Sequence, residues 1–109
     1  MKTATLSVLV IVALLSAAPD TQTFTGTVSD DMCARADHSQ MRMGSTDAEC
    51  TTACVDAHGA AYVLYDGRTT YTLSGRQTLQ QFAGRKVTVV GTLDTKTRTV
   101  HVNSIALAD

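Results

Sequence analysis

The sequence lacks the short motifs that mark several common catalytic chemistries. It contains no Cys-x-x-Cys pair, no Cys-x-x-Cys-His haem-attachment motif and no glycine-rich phosphate-binding loop. No serine, histidine and acidic residue stand in the contexts typical of a catalytic triad. These absences argue against dithiol exchange, covalent haem attachment and nucleotide chemistry. An enzyme is therefore the less favoured class of function.

Clusters of basic residues are also missing. The 109 residues carry 9 basic and 10 acidic side chains, for a formal net charge of −1, and the arginines and lysines are spread along the chain. Proteins that bind nucleic acids usually concentrate positive charge on one face. Nucleic acid is therefore not an expected partner.

Residues 1–18 predict a secretory signal peptide. A lysine near the start precedes the apolar run of residues 6–15, and Ala18 ends a small-residue cleavage site. The run is shorter than the roughly 20 residues that a spanning helix needs. Pro19 disfavours cleavage, so an uncleaved anchor is the alternative, and the membrane is a partner only in that case. We expect export to the periplasm or the extracellular space, with residues 19–22 as a linker.

The remaining residues, 23–109, show the alternation of apolar and polar side chains that marks half-buried strands. Five such segments are Thr23–Ser29, Ala60–Tyr65, Arg68–Leu73, Arg85–Leu93 and Thr99–Leu107. Asp66-Gly67 between the second and third segments is a strong hairpin signal. The apolar residues of the last segment change phase, so we expect a bulge near Asn103 or Ser104.

The order of these segments predicts one small domain that is mainly β. A short helical segment, Thr78–Phe82, joins the third and fourth strands, which matches a five-stranded Greek-key barrel of the OB type. A helical insertion at residues 30–59 separates the first two strands. The alternative is an open α+β sheet with one helix packed on it.

The insertion contains one helix with recognisable ends. Thr46 and Glu49 form a capping box, in which the hydroxyl accepts from the Glu49 amide and the carboxylate returns to the Thr46 amide. Gly59 supplies the left-handed residue that ends many helices. The helix therefore runs between these two signals.

The cysteines and histidines of the insertion are the candidate functional residues. Cys50, Cys54 and His58 are four residues apart, so we expect them in a row on a buried face of the helix. Cys33 and His38 lie in the segment just before it. If that segment folds back onto the helix, the thiols and an imidazole meet.

Metal binding is the sharper interpretation of this pattern. The predicted ligands are Cys33, His38, Cys50 and Cys54. Three thiolates and one imidazole form a known closed zinc site, and soft sulfur donors also suit copper as Cu⁺. Additional candidate ligands are Met32, Met41 and His58, and Met43 is a further nearby residue that would suit Cu⁺. The spacing matches no common zinc-finger motif, so the pattern leaves the choice between Zn and Cu open.

A disulfide is the alternative interpretation. Residues i and i+4 of a helix have Cβ atoms about 5 to 6 Å apart, whereas a disulfide requires roughly 3.5 to 4.5 Å. A disulfide would therefore join Cys33 to either Cys50 or Cys54 and leave the third thiol over. The chain would then be a structural or interaction domain of the cell envelope, without a metal, that binds a small envelope ligand or another protein.

A thiol-dependent enzyme is the third interpretation. Cys50 lies in the first turn of the helix, where the helix dipole favours the thiolate. Asp47, Glu49 and Asp56 oppose that effect with their negative charges. This interpretation requires a reactive cysteine with a lowered pKa.

Several segments together resemble a known family. They are FTGTVSDDMC, GAAYVLYDG, AGRKVTVVGTLD and VHVNSI, combined with His38 and the Cys50 and Cys54 pair. This pattern resembles a family of small secreted bacterial domains of unknown function, over nearly all of the chain after residue 18. The family usually has a glycine after the first cysteine, where this chain has Ala34. The resemblance implies a secreted OB-like domain.

Overall fold

The structure, a computed structural model, describes residues 20–39, 42–75 and 78–108. These residues form five β-strands and one α-helix, together with the segments that connect them. The elements are β1 Thr21–Asp30, α1 Asp47–His58, β2 Tyr62–Tyr65, β3 Thr70–Ser74, β4 Lys86–Asp94 and β5 Thr99–Leu107. Two 3₁₀ helices, Asp31–Cys33 and Leu79–Phe82, follow β1 and precede β4. The predicted signal segment 1–18 and the candidate ligand Met41 lie outside the described residues.

The predicted mainly β fold is confirmed, and its five strands close into a ring. The order around the ring is β1-β2-β3-β5-β4, because β1 pairs with β4 over Thr21–Thr27 and with β2 over Thr27–Asp30. Among the described strands β3 and β5 form the one parallel pair. The sheet is therefore mixed. Because it closes into a ring, it also differs from the open sheet of the alternative interpretation. No helix within the described ranges is long and apolar enough to cross a bilayer.

The interior of the ring holds the main hydrophobic core. Alternate residues of each strand point inward, as the period of two along a strand requires. The buried members are Phe24, Val28, Leu64, Leu73, Leu79, Val87, Val89, Val100 and Val102. Phe24 and Val28 form the inward face of β1, and Val87 and Val89 form that of β4. β1 begins at Thr21, two residues inside the predicted linker.

The predicted bulge in the last strand is confirmed. Val90 of β4 is opposite Ser104 of β5, whereas Gly91 is opposite Val102, so Asn103 is the extra residue. The extra residue explains the change of phase in the sequence. It allows Val100 and Val102 before the bulge and Ile105 after it to face the same core.

The predicted ends of α1 are confirmed, with one difference at the N-terminus. The Thr46 hydroxyl accepts a hydrogen bond from the Glu49 amide at 3.1 Å. The Glu49 carboxylate, however, accepts from the amide and the hydroxyl of Ser45 at 2.8 and 2.6 Å. At the other end Gly59 has a φ of 65°, and its amide donates to the Val55 carbonyl. The 12-residue helix packs against β1.

The backbone of β1 approaches the end of β2 closely at Gly26, and a substitution there tests this contact. A Cβ atom at Gly26 would lie 2.3 Å from the Tyr65 carbonyl oxygen and 2.8 Å from its carbon. Since both are backbone atoms that side-chain rotation cannot move, we expect Gly26→Ala to lower the free energy of unfolding by about 3 kcal/mol, the upper end of the range for over-packed sites. Urea denaturation followed by circular dichroism measures this change.

The matched control is Gly59→Ala. A Cβ atom there has no neighbour within 4 Å, but the left-handed φ remains unfavourable for alanine, so the expected loss is about 1 kcal/mol. Equal losses for the two variants would contradict the close approach at Gly26.

Candidate metal centre

Three of the four predicted ligands converge at the end of β1. The Sγ atoms of Cys33 and Cys50 and a ring nitrogen of His38 all lie within 4.8 Å of one another. The exposed fractions of these residues are 6%, 0% and 4%, so the group is shielded from solvent. Ligands around one zinc ion, at about 2.0 to 2.3 Å from the metal, are up to about 4 Å apart. Small side-chain movements would bring the three donors to that distance.

Cys33 is held by the residues that end β1. Asp30 Oδ1 accepts hydrogen bonds from the amides of Met32 and Cys33 at 3.1 and 3.0 Å, which caps the first 3₁₀ helix. The Ser29 hydroxyl donates to the Cys33 carbonyl at 2.8 Å. Ala34 has an ordinary right-handed helical conformation, with φ of −59°. The position after the first cysteine therefore requires no glycine in this chain.

His38 reaches the cluster because the chain reverses after Cys33. The Ala36 amide donates to the Cys33 carbonyl at 2.8 Å, and Ala36 takes a left-handed φ of 57°. The Thr70 hydroxyl of β3 donates to the Ala34 carbonyl at 3.1 Å and fixes this segment to the sheet. The fold-back that the site interpretation required is therefore present.

The helix supplies Cys50 and Cys54, both fully buried. The predicted row Cys50, Cys54 and His58 is wrong at its last member, because His58 is exposed at the end of α1. The third buried residue of the helix is instead Thr51. Thr51 lies three residues before Cys54 and therefore lies on the same side of the helix. The last turn of α1, which includes His58, is exposed to solvent.

Cys54 lies beside the three-donor group rather than within it. Its Sγ is 3.7 Å from the Sδ of Met43, towards which the thiol donates. The Met43 amide donates to the Sγ of Cys50 at 3.3 Å. Of the additional candidates, Met32 is 43% exposed and His58 is exposed, and both lie outside the three-donor group.

No disulfide joins the cysteines, all three of which lie in the described part of the chain. The alternative prediction, a disulfide between Cys33 and Cys50 or Cys54, is therefore not realised. The structure instead places Cys33 and Cys50 together with an imidazole, as separate thiols around a common point.

The electrostatic environment keeps the thiols of Cys33 and Cys54 protonated. Burial raises the pKa of Cys33, and the negative charge of Asp30 raises it further. The same two causes, in the same order, raise the pKa of Cys54 to about 11. A nucleophilic cysteine requires a lowered pKa, so neither Cys33 nor Cys54 is suited to that role. A bound cation would reverse the effect, because a metal deprotonates the thiols that coordinate it.

Three buried polar atoms around the cluster have no hydrogen-bond partner among the described residues. They are Asp30 Oδ2, His38 Nδ1 and Thr51 Oγ1. Leaving such an atom unsatisfied costs about 1 to 3 kcal/mol, and native proteins keep few of them. Asp30 caps Cys33 and Thr51 follows Cys50, so all three belong to the same region. They mark the place where a ligand would be most stabilising.

The role of Asp30 is not among the features that the sequence analysis predicts. An aspartate three residues before Cys33 fits a capping position, since its side chain can accept from the Cys33 amide. That signal was present in the sequence. Its burial depends on tertiary packing, because Val28, Ser29 and Asp30 are all buried, so both faces of the strand are covered at this end.

Alkylation rates test whether burial and the raised pKa make the Cys54 thiol unreactive. We expect metal-free, reduced protein to react with iodoacetamide at Cys54 roughly 100-fold more slowly at neutral pH than the same protein in guanidinium, because two units of pKa separate its value from 9.0. The rate should rise with pH until about pH 11, as more thiolate forms. Mass spectrometry of the labelled peptides measures each site.

The intact mass of the unlabelled protein is the control. It should correspond to three thiols, without the loss of two hydrogens that a disulfide causes. Fast labelling of Cys54 in the folded protein would show that the thiol is reactive and would contradict this account of the site.

Comparisons of the chain with protein-family models, with curated proteins and with solved structures find no match. The function of the cluster therefore has to be inferred from its own donors, distances and burial.

Proposed function

We propose that this protein is an exported small domain that binds a transition metal ion, Zn²⁺ or Cu⁺, through Cys33, His38 and Cys50, with Cys54 as a fourth donor beside them. The observation that carries the proposal is the convergence of three buried donor atoms within 4.8 Å, on elements distant in sequence. Two thiolates and an imidazole are a ligand set that both ions accept.

The unpartnered imidazole nitrogen distinguishes this proposal from an ordinary buried core. Buried cysteines alone are common core residues, with no need of a metal. A histidine that is 4% exposed is different, because its Nδ1 has no hydrogen-bond partner among the described residues. Coordination of an ion by this ring would use donor capacity that is otherwise unsatisfied.

The net charge of the cluster also favours a cation. Asp30 is fully buried beside Cys33, and its negative charge affects both Cys33 and Cys54. A buried carboxylate is stabilised by a nearby positive charge. A metal ion among the thiolates would supply that charge, and its binding would release the thiol protons.

An OB-like barrel is the scaffold that we propose for this site. The strand order, with β1 between β2 and β4 and a parallel β3 and β5 pair, supports a small closed barrel of that type. The second 3₁₀ helix lies between β3 and β4, where the sequence placed a short helical connection. Export rests on the signal-like residues 1–18, and in the oxidising envelope a bound metal would protect the thiols.

Metal titration tests the proposal. We expect reduced protein without an affinity tag to bind one Zn²⁺, and Co²⁺ to give the thiolate-to-metal absorption of a tetrahedral sulfur site. At a ligand concentration 100 times the dissociation constant, binding should stabilise the fold by about 2.7 kcal/mol, measured as a rise in the melting temperature.

Single substitutions identify the ligands. His38→Gln and Cys50→Ser should each weaken Zn²⁺ binding by about 100-fold or more, since loss of even an outer-shell partner can cost 10- to 100-fold. His58→Gln and His101→Gln remove exposed histidines and should bind as the wild type does. Wild-type affinity in His38→Gln, or absence of Zn²⁺, Co²⁺ and Cu⁺ binding to the wild-type protein, would refute the proposed function.

A further inference from the structure

The sulfur atoms of the cluster extend beyond the three-donor group. Cys50 influences the pKa of both Cys33 and Cys54 through its charge and a side-chain hydrogen bond, so it lies between them. Beyond Cys54, the Met43 thioether follows at 3.7 Å. The group of His38, Cys33 and Cys50 is therefore contiguous with Cys54, which interacts with Cys50, and with Met43, which contacts Cys54.

The position of Met43 is built into the loop that precedes α1. The Met43 amide donates a hydrogen bond to Cys50 Sγ at 3.3 Å, which holds the backbone of Met43 beside that sulfur. Next to it, a Cβ atom at Gly44 would lie 2.6 Å from the Glu49 Cβ, so the loop is pressed against the first turn of the helix. Met43 is thus held over the two helical cysteines by the backbone on both sides.

The surroundings of Met43 differ from those of a methionine that fills a gap in an aliphatic core. It packs against the cluster of Cys50, Cys54 and Ala60, which is separate from the core inside the ring. Its thioether contacts the Cys54 thiol directly. This arrangement places a thioether and two thiols side by side.

The chemistry of these donors separates the two candidate ions. A thioether is a soft ligand that binds Cu⁺ and contributes little to a zinc site, which takes thiolates, imidazoles and carboxylates. Cu⁺ also accepts low coordination numbers, and thiolates readily bridge two Cu⁺ ions. Five donors are too many for one Cu⁺ but sufficient for two that share a sulfur.

We propose that Cys54 and Met43 form a second metal position, specific for Cu⁺, which shares the Cys50 thiolate with the position formed by Cys33 and His38. The inference rests on the proposed function and extends it: Zn²⁺ occupies one position, whereas Cu⁺ fills both. Each thiol loses its proton to solvent as its sulfur–copper bond forms, and copper remains Cu⁺ throughout. The three thiolates carry three negative charges, of which two Cu⁺ ions neutralise two.

Stoichiometry under anaerobic conditions tests this inference. Reduced protein competes for Cu⁺ with the chelator bicinchoninate, and for Zn²⁺ with a chromogenic chelator. The wild-type protein should take up two Cu⁺ but one Zn²⁺. Met43→Leu keeps the volume of the side chain but removes its sulfur, so it should weaken the second Cu⁺ by about tenfold or more and leave Zn²⁺ affinity unchanged.

Met32→Leu is the matched control, because Met32 is a half-exposed methionine outside the three-donor group. It should retain both Cu⁺ ions. Circular dichroism of the metal-free variants verifies that they are folded. Should Met43→Leu fail to fold, X-ray absorption of the wild-type protein with two Cu⁺ gives an independent answer, since a shared thiolate places the ions close enough for copper–copper scattering.

The outcomes separate this inference from the proposed function. A single Cu⁺ per chain, two Cu⁺ bound equally well by Met43→Leu, or absence of copper–copper scattering overturns the second position while leaving the first intact. Loss of Zn²⁺ in His38→Gln supports the first position independently. A wild-type protein that binds neither ion overturns both.

Discussion

The hydrogen bonds from Asp30 to the amides that follow it are the interaction on which the rest of the site depends. Asp30 is fully buried at the last position of β1, and its Oδ1 accepts from the amides of Met32 and Cys33. These bonds turn the chain out of the sheet into a 3₁₀ helix. Together with the Ser29 hydroxyl on the Cys33 carbonyl, they fix the cysteine at the edge of the ring, facing α1.

The Asp30 carboxylate also places an uncompensated negative charge beside the thiols. Its charge adds to burial in raising the pKa values of Cys33 and Cys54, and its Oδ2 has no hydrogen-bond partner among the described residues. Each of these effects opposes stability or reactivity of the metal-free cluster. A cation would offset all of them at once, because it attracts the carboxylate and stabilises the thiolates. Preorganised donors also lose little conformational entropy on binding.

The molecule has two separate buried clusters, so the unfavourable electrostatics of the cysteine cluster are kept apart from the main hydrophobic core. Valine, leucine and phenylalanine side chains inside the ring form one core, while Cys50, Cys54 and Ala60 form another under the insertion. The strand pairings that close the ring provide a rigid frame, to which the insertion is attached through β1 and the Thr70 hydroxyl. Strain or unsatisfied groups in the sulfur cluster therefore need not disturb the barrel-side core.

The sequence by itself determined the local features of this protein. The strands, the bulge at Asn103 and the caps of α1 at Thr46 and Gly59 depend on alternation, phase and hydrogen bonds between residues a few positions apart, and such patterns are readable in the chain. The sequence also predicted the ligand set Cys33, His38, Cys50 and Cys54, because the cysteines and His38 lie in one insertion, and the structure brings the first three together.

Only the tertiary structure decided the closure of the ring, the burial of His38, the exposure of His58, the roles of Asp30 and Met43, and the separation of the cysteines as thiols. The burial of His38 and the roles of Asp30 and Met43 depend on the path of the irregular segment between β1 and α1, which has no periodic pattern. Contacts with β3 and with the first turn of the helix set that path, and such contacts between distant residues leave no local trace in a sequence.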